Sequence, residues 1–369
     1  MQVTAAVLEE HHKPLNVQEL EIDEPLAGEV LVKIVASGVC HTDAIAQEAN
    51  FPFPLPGVLG HEGAGIVEAV GDGVTKVKAG DKVIIGWPWC GECRNCLAGR
   101  QRFCLQIGPL VGAGVRLSTG GSCLSRHGDA VHGHFFGQSS FSTYSMTTER
   151  AVVKVADDAP IELLGPLGCG LATGAGAVFN ALRPEAGSSI AIFGTGAVGL
   201  AATMASALTG ATKIIAIDLH DHRLKLAGEL GATHTINARE TDPVEAIREI
   251  TGPGTLGADY TLECTGNVDV VRQAADALNM PGTSMIIGGA PAGATFELDH
   301  LTMLWGRSVR GTLGGEGQSE QLLPTLVDLH AQGRFPFDRL VQFFELDQVN
   351  EAMEASARGD VLKPVLKMA

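Results

Sequence analysis

The chain has 369 residues, of which 45% are hydrophobic and 18% are charged, the balance of an ordinary globular enzyme with more than one hydrophobic core. The formal net charge is -16 with no compensating run of Lys and Arg, which argues against nucleic acid or an anionic membrane and favours small molecules as partners. The amino-terminal MQVTAAVLEEHHK lacks the layout of a signal peptide, and we expect a cytoplasmic protein.

Short apolar segments separated by turn residues fill roughly the first 150 positions, as expected for strands. Gly28, Gly57, Gly80 and Asp81 stand at the breaks. We expect a compact, mostly antiparallel β domain with strands in EVLVKIVASGV, GAGIVEAVG, DKVIIGW and AVVKV.

Between the predicted strands DKVIIGW and AVVKV lies a cysteine array of the form C-x2-C-x2-C-x7-C. It is formed by Cys90, Cys93, Cys96 and Cys104. Four thiolates at this spacing suit a closed tetrahedral zinc site, which stabilises a lobe (86–108) and carries out no reaction. An iron–sulfur cluster and disulfide bonds are the alternatives.

From about residue 174 the pattern changes to alternating strands and helices: SSIAIFG then AVGLAATMASALTG, KIIAID then HRLKLAGELG, DYTLECTG then NVDVVRQAADAL, and SMIIGG. Such alternation predicts a doubly wound parallel sheet. Residues 163–182 and 187–212 approach the length of a membrane span, but glycines interrupt both, and we interpret them as buried elements. The tail predicts an apolar segment, an amphipathic helix and a last strand that return to the first domain.

A dinucleotide-binding fingerprint lies at the start of the alternating region. Gly194, Gly196 and Gly199 form G-x-G-x-x-G between an apolar strand and a helix-forming run, a context that permits close approach to a pyrophosphate. Asp218 ends the next strand, where a carboxylate binds the ribose hydroxyls and repels a 2′-phosphate, so NAD is favoured over NADP. Arg223 is a further candidate for a ribose or phosphate contact, or an ordinary solvated helix charge.

Three segments hold further candidate metal ligands, namely Cys40 in GVCHTD, His61 in GHEGAGIVEAVGDGV and Cys169 in PLGCGLATGAGA. Their separations are too long for spacing alone to show a shared site. With these segments the whole chain resembles the zinc-dependent medium-chain alcohol dehydrogenases. PLPGVLGHEG, HFFGQSSF, IELLGPLGCG and GELGATH are most similar to the bacterial aryl- and allylic-alcohol branch, which includes benzyl alcohol and geraniol dehydrogenases.

The resemblance implies a discontinuous, β-rich GroES-like catalytic domain (1–173 and 313–369) and a Rossmann NAD-binding domain (174–312). It implies two zinc ions per subunit, with Cys40, His61 and Cys169 holding the catalytic one. Glu62 is similar to a carboxylate that can enter the zinc sphere, and Asp43 to a residue that orients the liganding histidine.

The resemblance also implies that Thr42 accepts the hydroxyl proton of the alcohol, although the histidine that continues this relay in many relatives is replaced by Ile45. At the cofactor it places His41 and Lys363 beside the pyrophosphate and Thr173 and Val198 against the nicotinamide. The expected substrate channel is lined by Phe51, Trp87, Phe135, Phe136, Trp305 and Leu313, whose bulk favours flat apolar alcohols.

We therefore expect an NAD-dependent enzyme that oxidises primary aromatic or allylic alcohols reversibly to aldehydes, by hydride transfer from a zinc-bound alkoxide. Related enzymes form dimers or tetramers, and we expect the same here. One alternative is a glutathione-dependent formaldehyde dehydrogenase, although LQIGPLVGAGV after Cys104 lacks the arginine expected of that branch. The other is a non-catalytic sensor of the same fold that binds zinc and NAD.

Overall fold

Residues 1–368 are described in a computed structural model, and they form two compact units. The first unit contains Met1–Gly170, Gln318–Asp328 and the chain from Asp338 onward. The second contains Leu171–Gly317 and Leu329–Phe337. The functional boundaries predicted above, 1–173, 174–312 and 313–369, stay predictions.

Short strands and short helices make up the amino-terminal part of the first unit. The strands are β1 Gln2–Leu8, β2 Asn16–Ile22, β3 Glu29–Gly38, β4 Gly57–Val58, β5 Gly63–Val70, β6 Lys82–Ile85, β7 Leu124–Arg126, β8 Asp129–Val131, β9 Tyr144–Thr148 and β10 Val152–Lys154. The helices are α1 His41–Gln47, α2 Arg94–Leu97, α3 Ile107–Gly112 and α4 Ile161–Leu164, with 3-10 turns at Gln101–Phe103, Phe135–Gly137 and Gly165–Gly168.

A parallel sheet organises the second unit. Its strands are β11 Ser189–Phe193, β12 Lys213–Asp218, β13 His234–Asn237, β14 Ala258–Glu263, β15 Leu278–Ile286 and β16 Arg307–Gly311. Its helices are α5 Gly170–Gly176, a π-helix Ala177–Leu182, α6 Ala197–Ser206, α7 Asp221–Glu229, α8 Pro243–Thr251, α9 Val268–Asp276 and α10 His300–Leu304, with a 3-10 turn at Gly314–Glu316.

The strand order of this sheet is β13-β12-β11-β14-β15-β16, with every neighbouring pair parallel. Every residue of β11 is buried, as its central place in the sheet requires. The order reverses direction between β11 and β14, and the crevice at the carboxyl ends of such a pair is where dinucleotides bind.

The remaining elements are α11 Ser319–Ala331, β17 Val341–Glu345, α12 Val349–Arg358 and β18 Lys363–Lys367, with 3-10 turns at Phe337–Leu340 and Leu346–Gln348. As predicted, the tail provides an apolar strand, an amphipathic helix and a last strand. β18 pairs antiparallel with β3, which returns the end of the chain to the first unit. The two sheets of this unit have the orders β4-β1-β2-β7-β8 and β10-β6-β5-β3-β18-β17, and β9 pairs with β3.

The element boundaries around β15 differ from the prediction. β15 begins at Leu278, well before the predicted SMIIGG segment, and it includes Pro281 and Gly282. A Pro-Gly pair usually marks a turn, so the sequence does not predict a strand here. The predicted helix NVDVVRQAADAL correspondingly ends early, at Asp276.

Within residues 1–368 no single helix has both the length and the apolar character needed to cross a membrane. The consecutive helices Ile161–Gly168 and Gly170–Leu182 reach that length only as a broken pair.

Candidate metal centres and cofactor site

The four cysteines of the array converge. The Sγ atoms of Cys90, Cys93, Cys96 and Cys104 all lie within 4.8 Å of one another. Cys93 forms the N-cap of α2, and the 3-10 turn Gln101–Phe103 ends at Cys104, so two short helices bring the ligands together. All four are free thiols, so the disulfide alternative does not apply.

Backbone amides surround these sulfur atoms. Cys93 Sγ accepts a hydrogen bond from the Leu105 amide at 3.4 Å, and Cys104 Sγ accepts one from the Cys90 amide at 3.3 Å. The Leu105 amide lowers the pKa of Cys93 to about 6, whereas burial raises the pKa of Cys96 to about 12. Four thiolates at this spacing require a cation among them, and the donor set fits zinc.

A second cluster brings together the three segments that spacing could not connect. Ligand atoms of Cys40, His61, Glu62 and Cys169 all lie within 4.8 Å of one another. Cys40 forms the N-cap of α1 after β3, His61 and Glu62 precede β5, and Cys169 stands between the 3-10 turn Gly165–Gly168 and α5.

Asp43 fixes the geometry of this cluster. Its Oδ1 accepts hydrogen bonds from His61 Nδ1 at 3.1 Å and from the Gly60 amide at 3.0 Å, and its Oδ2 accepts one from the Cys40 amide at 2.9 Å. Gly60 has φ +88°, and a Cβ there would lie 2.5 Å from the Phe141 amide, so only glycine fits. Asp43 therefore orients two candidate ligands at once.

The protonation and surroundings of the His61 ring suit a metal ligand. The bond to Asp43 places the proton on Nδ1, and the buried Nε2 has no hydrogen-bond partner within residues 1–368. Burial opposes a charge on this ring, but Asp43 and Cys40 outweigh burial and raise the pKa of His61. The surroundings thus favour positive charge at this position, which a zinc ion bound to Nε2 would supply.

We predict that Asp43→Asn will weaken zinc binding at this cluster by about 10- to 100-fold, because an amide holds the imidazole less firmly than a carboxylate does. Zinc retained after dialysis against a graded chelator series measures the effect. Asp81→Asn is the control: Asp81 is also buried and pairs with Lys78 and Lys154, and it belongs to neither cluster. Equal zinc retention by both variants would contradict the role of Asp43.

Glu62 and Lys363 form a buried ion pair. Lys363 Nζ lies 3.0 Å from Glu62 Oε2 and 3.1 Å from Oε1, and it donates to the Val39 carbonyl at 3.0 Å. Burial raises the pKa of Glu62 to about 7, although Lys363 opposes that rise. Lys363 was expected beside the cofactor phosphates, but its contacts in the structure are with the metal cluster. A phosphate contact would require Lys363 to leave Glu62, and it stays a prediction.

Aromatic rings cover one side of His61. The ring of Phe136 stacks on that of His61 with centroids 4.6 Å apart, and Phe135 meets it edge-on at 5.6 Å. Phe51 stacks on Phe136 at 5.5 Å, and Trp87 meets Phe136 edge-on at 5.4 Å. Four of the six predicted channel residues therefore form one wall beside the second metal cluster.

The other predicted residues belong to two different parts of the chain. Trp305 and Leu313 belong to the second unit and are 43% and 39% exposed. On α1, His41 is exposed and Thr42 is half-buried, with Thr42 Oγ1 3.7 Å from Cys40 Sγ. The half-buried Ile45, one turn further along α1, offers no group that carries a proton.

In the second unit the glycine-rich turn connects β11 to α6. Gly194 has φ +89°, and a Cβ on Gly199 would lie 1.8 Å from the Gly194 carbonyl oxygen. Gly196 is the N-cap of α6, and a Cβ there would meet nothing within 4 Å. The first and third glycines thus form the turn, while the second leaves open space beside free helix amides, as a pyrophosphate requires.

Asp218 is tied to this turn. Its Oδ2 accepts hydrogen bonds from the amide and the hydroxyl of Thr195 at 2.7 and 2.8 Å, and its Oδ1 accepts from the Leu219 amide at 2.7 Å. The carboxylate is therefore held at the carboxyl end of β12 beside the turn. Arg223 lies in the first turns of α7 and is half-buried.

Thr173 on α5 and Val198 on α6 lie near each other. Gly174 follows Thr173, and a Cβ on Gly174 would lie 2.0 Å from the Val198 carbonyl oxygen. The two helices therefore touch at the first turn of α6, next to the glycine-rich loop.

The sequence did not predict two residues that hold site residues in place. Gln138 binds the backbone on both sides of Glu62, and Thr195 holds Asp218. Thr195 could have been found as the polar residue inside G-x-G-x-x-G. Gln138 lies in HFFGQSSF, but nothing in that segment reveals which backbone its side chain meets.

Comparison with known proteins agrees with this geometry. Residues 26–157 match the alcohol dehydrogenase GroES-like domain, and residues 197–331 match the zinc-binding dehydrogenase family. Geraniol dehydrogenase of Castellaniella defragrans is 43% identical over 98% of this chain and 96% of its own length. S-(hydroxymethyl)glutathione dehydrogenase of Paracoccus denitrificans is 38% identical over 99% of this chain and 100% of its own length.

Among solved structures, benzyl alcohol dehydrogenase of Acinetobacter calcoaceticus superposes with a TM-score of 0.96 at 44% identity, covering 100% of both chains. A GroES-like domain, a parallel-sheet Rossmann domain and two metal clusters characterise one family. The chain belongs to the zinc-dependent medium-chain alcohol dehydrogenases, which use NAD and two zinc ions.

Proposed function

We propose that this enzyme prefers primary aromatic or allylic alcohols, which it oxidises to aldehydes with NAD. The aromatic wall of Phe51, Trp87, Phe135 and Phe136 against His61 carries this proposal. The names of two relatives, geraniol dehydrogenase and benzyl alcohol dehydrogenase, support it. Burial of a substrate ring or allylic chain against such a wall contributes about 2–3 kcal/mol more than burial of the methyl group of ethanol.

Cys40, His61 and Cys169 would hold the catalytic zinc, and Cys90, Cys93, Cys96 and Cys104 the structural one. When bound, zinc polarises the hydroxyl of the alcohol and lowers its pKa, while NAD accepts the hydride that leaves the carbinol carbon.

The chain positions the reacting groups. Asp43 holds the His61 ring, and the Thr42 hydroxyl accepts the proton that leaves the alcohol. Thr42 must release its own hydroxyl proton in turn, and because Ile45 cannot take that proton, the next acceptor is solvent water. Glu62, buried beside the same cluster, offers a carboxylate that can replace another ligand during exchange.

The cofactor-binding residues are assigned as follows. Gly194, Gly196 and Gly199 admit the pyrophosphate, and His41 adds a basic group for it. Asp218 accepts hydrogen bonds from the adenosine ribose and repels a 2′-phosphate, and Arg223 lies close by in sequence. Thr173 and Val198, which lie together beside the glycine-rich turn, pack against the nicotinamide.

We further propose a homodimer or homotetramer in the cytoplasm. The edge strand β16 and the neighbouring Leu304 and Trp305, which are 67% and 43% exposed, offer a surface for pairing of nucleotide domains. None of the eight cysteines forms a disulfide bond in the described residues, which suits a reducing compartment.

A substrate panel tests the proposal. We expect kcat/KM for benzyl alcohol or geraniol with NAD to exceed that for ethanol by roughly 100-fold, and NAD to be favoured over NADP. NADH formation at 340 nm by the zinc-loaded enzyme measures these rates. A preference for S-hydroxymethylglutathione would place the enzyme in the formaldehyde branch, and stoichiometric NADH binding without turnover on any alcohol would indicate a sensor.

A further inference from the structure

Gln138 occupies an unusual position beside the second metal cluster. Its side chain is buried, with 2% exposure, and its two polar ends bind the same short segment. Nε2 donates to the His61 carbonyl at 2.9 Å, and Oε1 accepts from the Gly63 amide at 3.0 Å. The amide of one side chain thus bonds the backbone on both sides of Glu62, as a neighbouring strand would.

The other edge of this segment is held by the main chain. The Glu62 carbonyl accepts a hydrogen bond from the Gly38 amide at 3.0 Å, which is the β3 side. His61 and Glu62 therefore lie between a true strand on one edge and Gln138 on the other. Without the Gln138 side chain, a buried carbonyl and a buried amide would each lose their hydrogen-bond partner.

Glycine at position 63 makes this approach possible. A Cβ on Gly63 would lie 2.9 Å from Gln138 Oε1 and 2.8 Å from Ser140 Cβ. Such crowding shows that the Gln138 loop is packed tightly against the ligand segment.

The loop itself is held in an unfavourable conformation. His134, Phe136 and Ser139 have φ angles of 60°, 50° and 57°, in the left-handed region that is unfavourable for residues with a side chain. These angles turn Phe136 onto the His61 ring and Gln138 onto the His61 backbone. Strain of this kind persists where surrounding contacts require it, which is common beside functional sites.

We propose that Gln138 is a positioning residue for the catalytic metal: it fixes the backbone of His61 and Glu62, so that the imidazole is presented to the ion in one orientation and the carboxylate stays beside it. This inference rests on the proposed role of His61 as a zinc ligand. Both hydrogen bonds of the Gln138 side chain go to the backbone of the ligand segment, and through that backbone it acts on His61.

Gln138→Met is the test, because methionine matches glutamine in length and lacks its polar ends. We expect the catalytic zinc to bind about 10- to 100-fold more weakly in competition with a chelator, while the structural zinc is retained. We also expect the visible absorption of enzyme whose catalytic zinc is replaced by Co²⁺ to shift, because its bands report ligand geometry. Should this variant prove insoluble, Gln138→Leu, which also lacks both polar ends and adds no charge, should show the same two changes.

Ser145→Ala is the matched control. The Ser145 hydroxyl donates to the Gln138 carbonyl at 2.6 Å, so its loss removes a buried hydrogen bond from the same loop but leaves the side-chain amide of Gln138 in place. We expect a lower Tm with an unchanged Co²⁺ spectrum and unchanged zinc affinity. Spectra and affinities in both Gln138 variants that match those of the wild type would overturn the inference, as would equal shifts in Ser145→Ala.

His61→Ala distinguishes the positioning role of Gln138 from the existence of the metal site. If that variant loses one zinc while Gln138→Met keeps wild-type affinity, the positioning role alone is wrong. If His61→Ala keeps both zinc ions at wild-type affinity, the proposed metal site itself is wrong.

Discussion

Cys169→Ala is expected to lower kcat/KM for benzyl alcohol by at least about three orders of magnitude, equivalent to about 4 kcal/mol of lost transition-state stabilisation. Cys169 contributes one of the ligand atoms that lie within 4.8 Å of one another in the second cluster. Its loss leaves Cys40 and His61 as the main ligands, and two such ligands neither hold zinc firmly nor keep its geometry. Steady-state NADH formation and zinc content measured on the same sample provide the check.

Cys123→Ala is the matched control for this experiment. Cys123 is also a buried cysteine of the first unit, at 3% exposure against 7% for Cys169, but it belongs to neither metal cluster. Burial raises the pKa of Cys123 to about 12, so it remains a neutral thiol that packs as a small hydrophobic side chain. We expect both variants to lose about 1 kcal/mol of stability or slightly more, and only Cys169→Ala to lose turnover and one zinc.

NADH affinity is a second control for Cys169→Ala. The glycine-rich turn and Asp218 belong to the second unit, which Cys169 does not enter. We therefore expect Cys169→Ala to bind NADH with near wild-type affinity, as measured by fluorescence titration. Wild-type turnover in Cys169→Ala would show that this cluster does not carry the chemistry.

The sequence predicts sites whose residues lie close together along the chain, whereas only the structure shows how residues from distant segments meet. The cysteine array and the glycine fingerprint are local, so short spacers and the flanking strand determine their geometry. Cys40, His61 and Cys169 come from distant segments, and only the resemblance to a family connected them in advance. Their meeting depends on how β3, β5 and the turn before α5 pack, which no spacing rule encodes.

Residues that contact the candidate metal ligands were harder still to predict than the ligands themselves. Lys363 enters the metal cluster because β18 pairs with β3 across most of the chain length, and its pairing with Glu62 follows from that register. Gln138 reaches His61 through three left-handed residues, a path that ordinary propensities disfavour. In both cases a tertiary arrangement overrides the local pattern, and residues of this kind are best found from contacts rather than from motifs.

Cys93→Ser should leave the chemistry of the second cluster in place and disrupt the lobe at 86–108. We expect zinc content to fall from two ions to one per chain and the free energy of unfolding to fall by about 3–5 kcal/mol, since metal binding and folding are coupled in such sites. For a domain of this size that loss corresponds to roughly 10 °C in Tm. Thermal melts and hydrogen exchange measure it, and faster exchange should be confined to the lobe.

A double-variant cycle tests whether Cys93 and Cys96 bind the same ion, because four ligands on one ion act as a unit. The Sγ atoms of Cys93 and Cys96 are 3.4 Å apart, and removal of either leaves the other without a metal to share. Cys93→Ser, Cys96→Ser and the double variant should therefore show the same zinc content and nearly the same Tm, a strongly non-additive result. Losses of stability that simply add would mean that the two thiols contribute independently. In that case the lobe would be held together by packing, and the cysteine array would not be the structural zinc site assigned here.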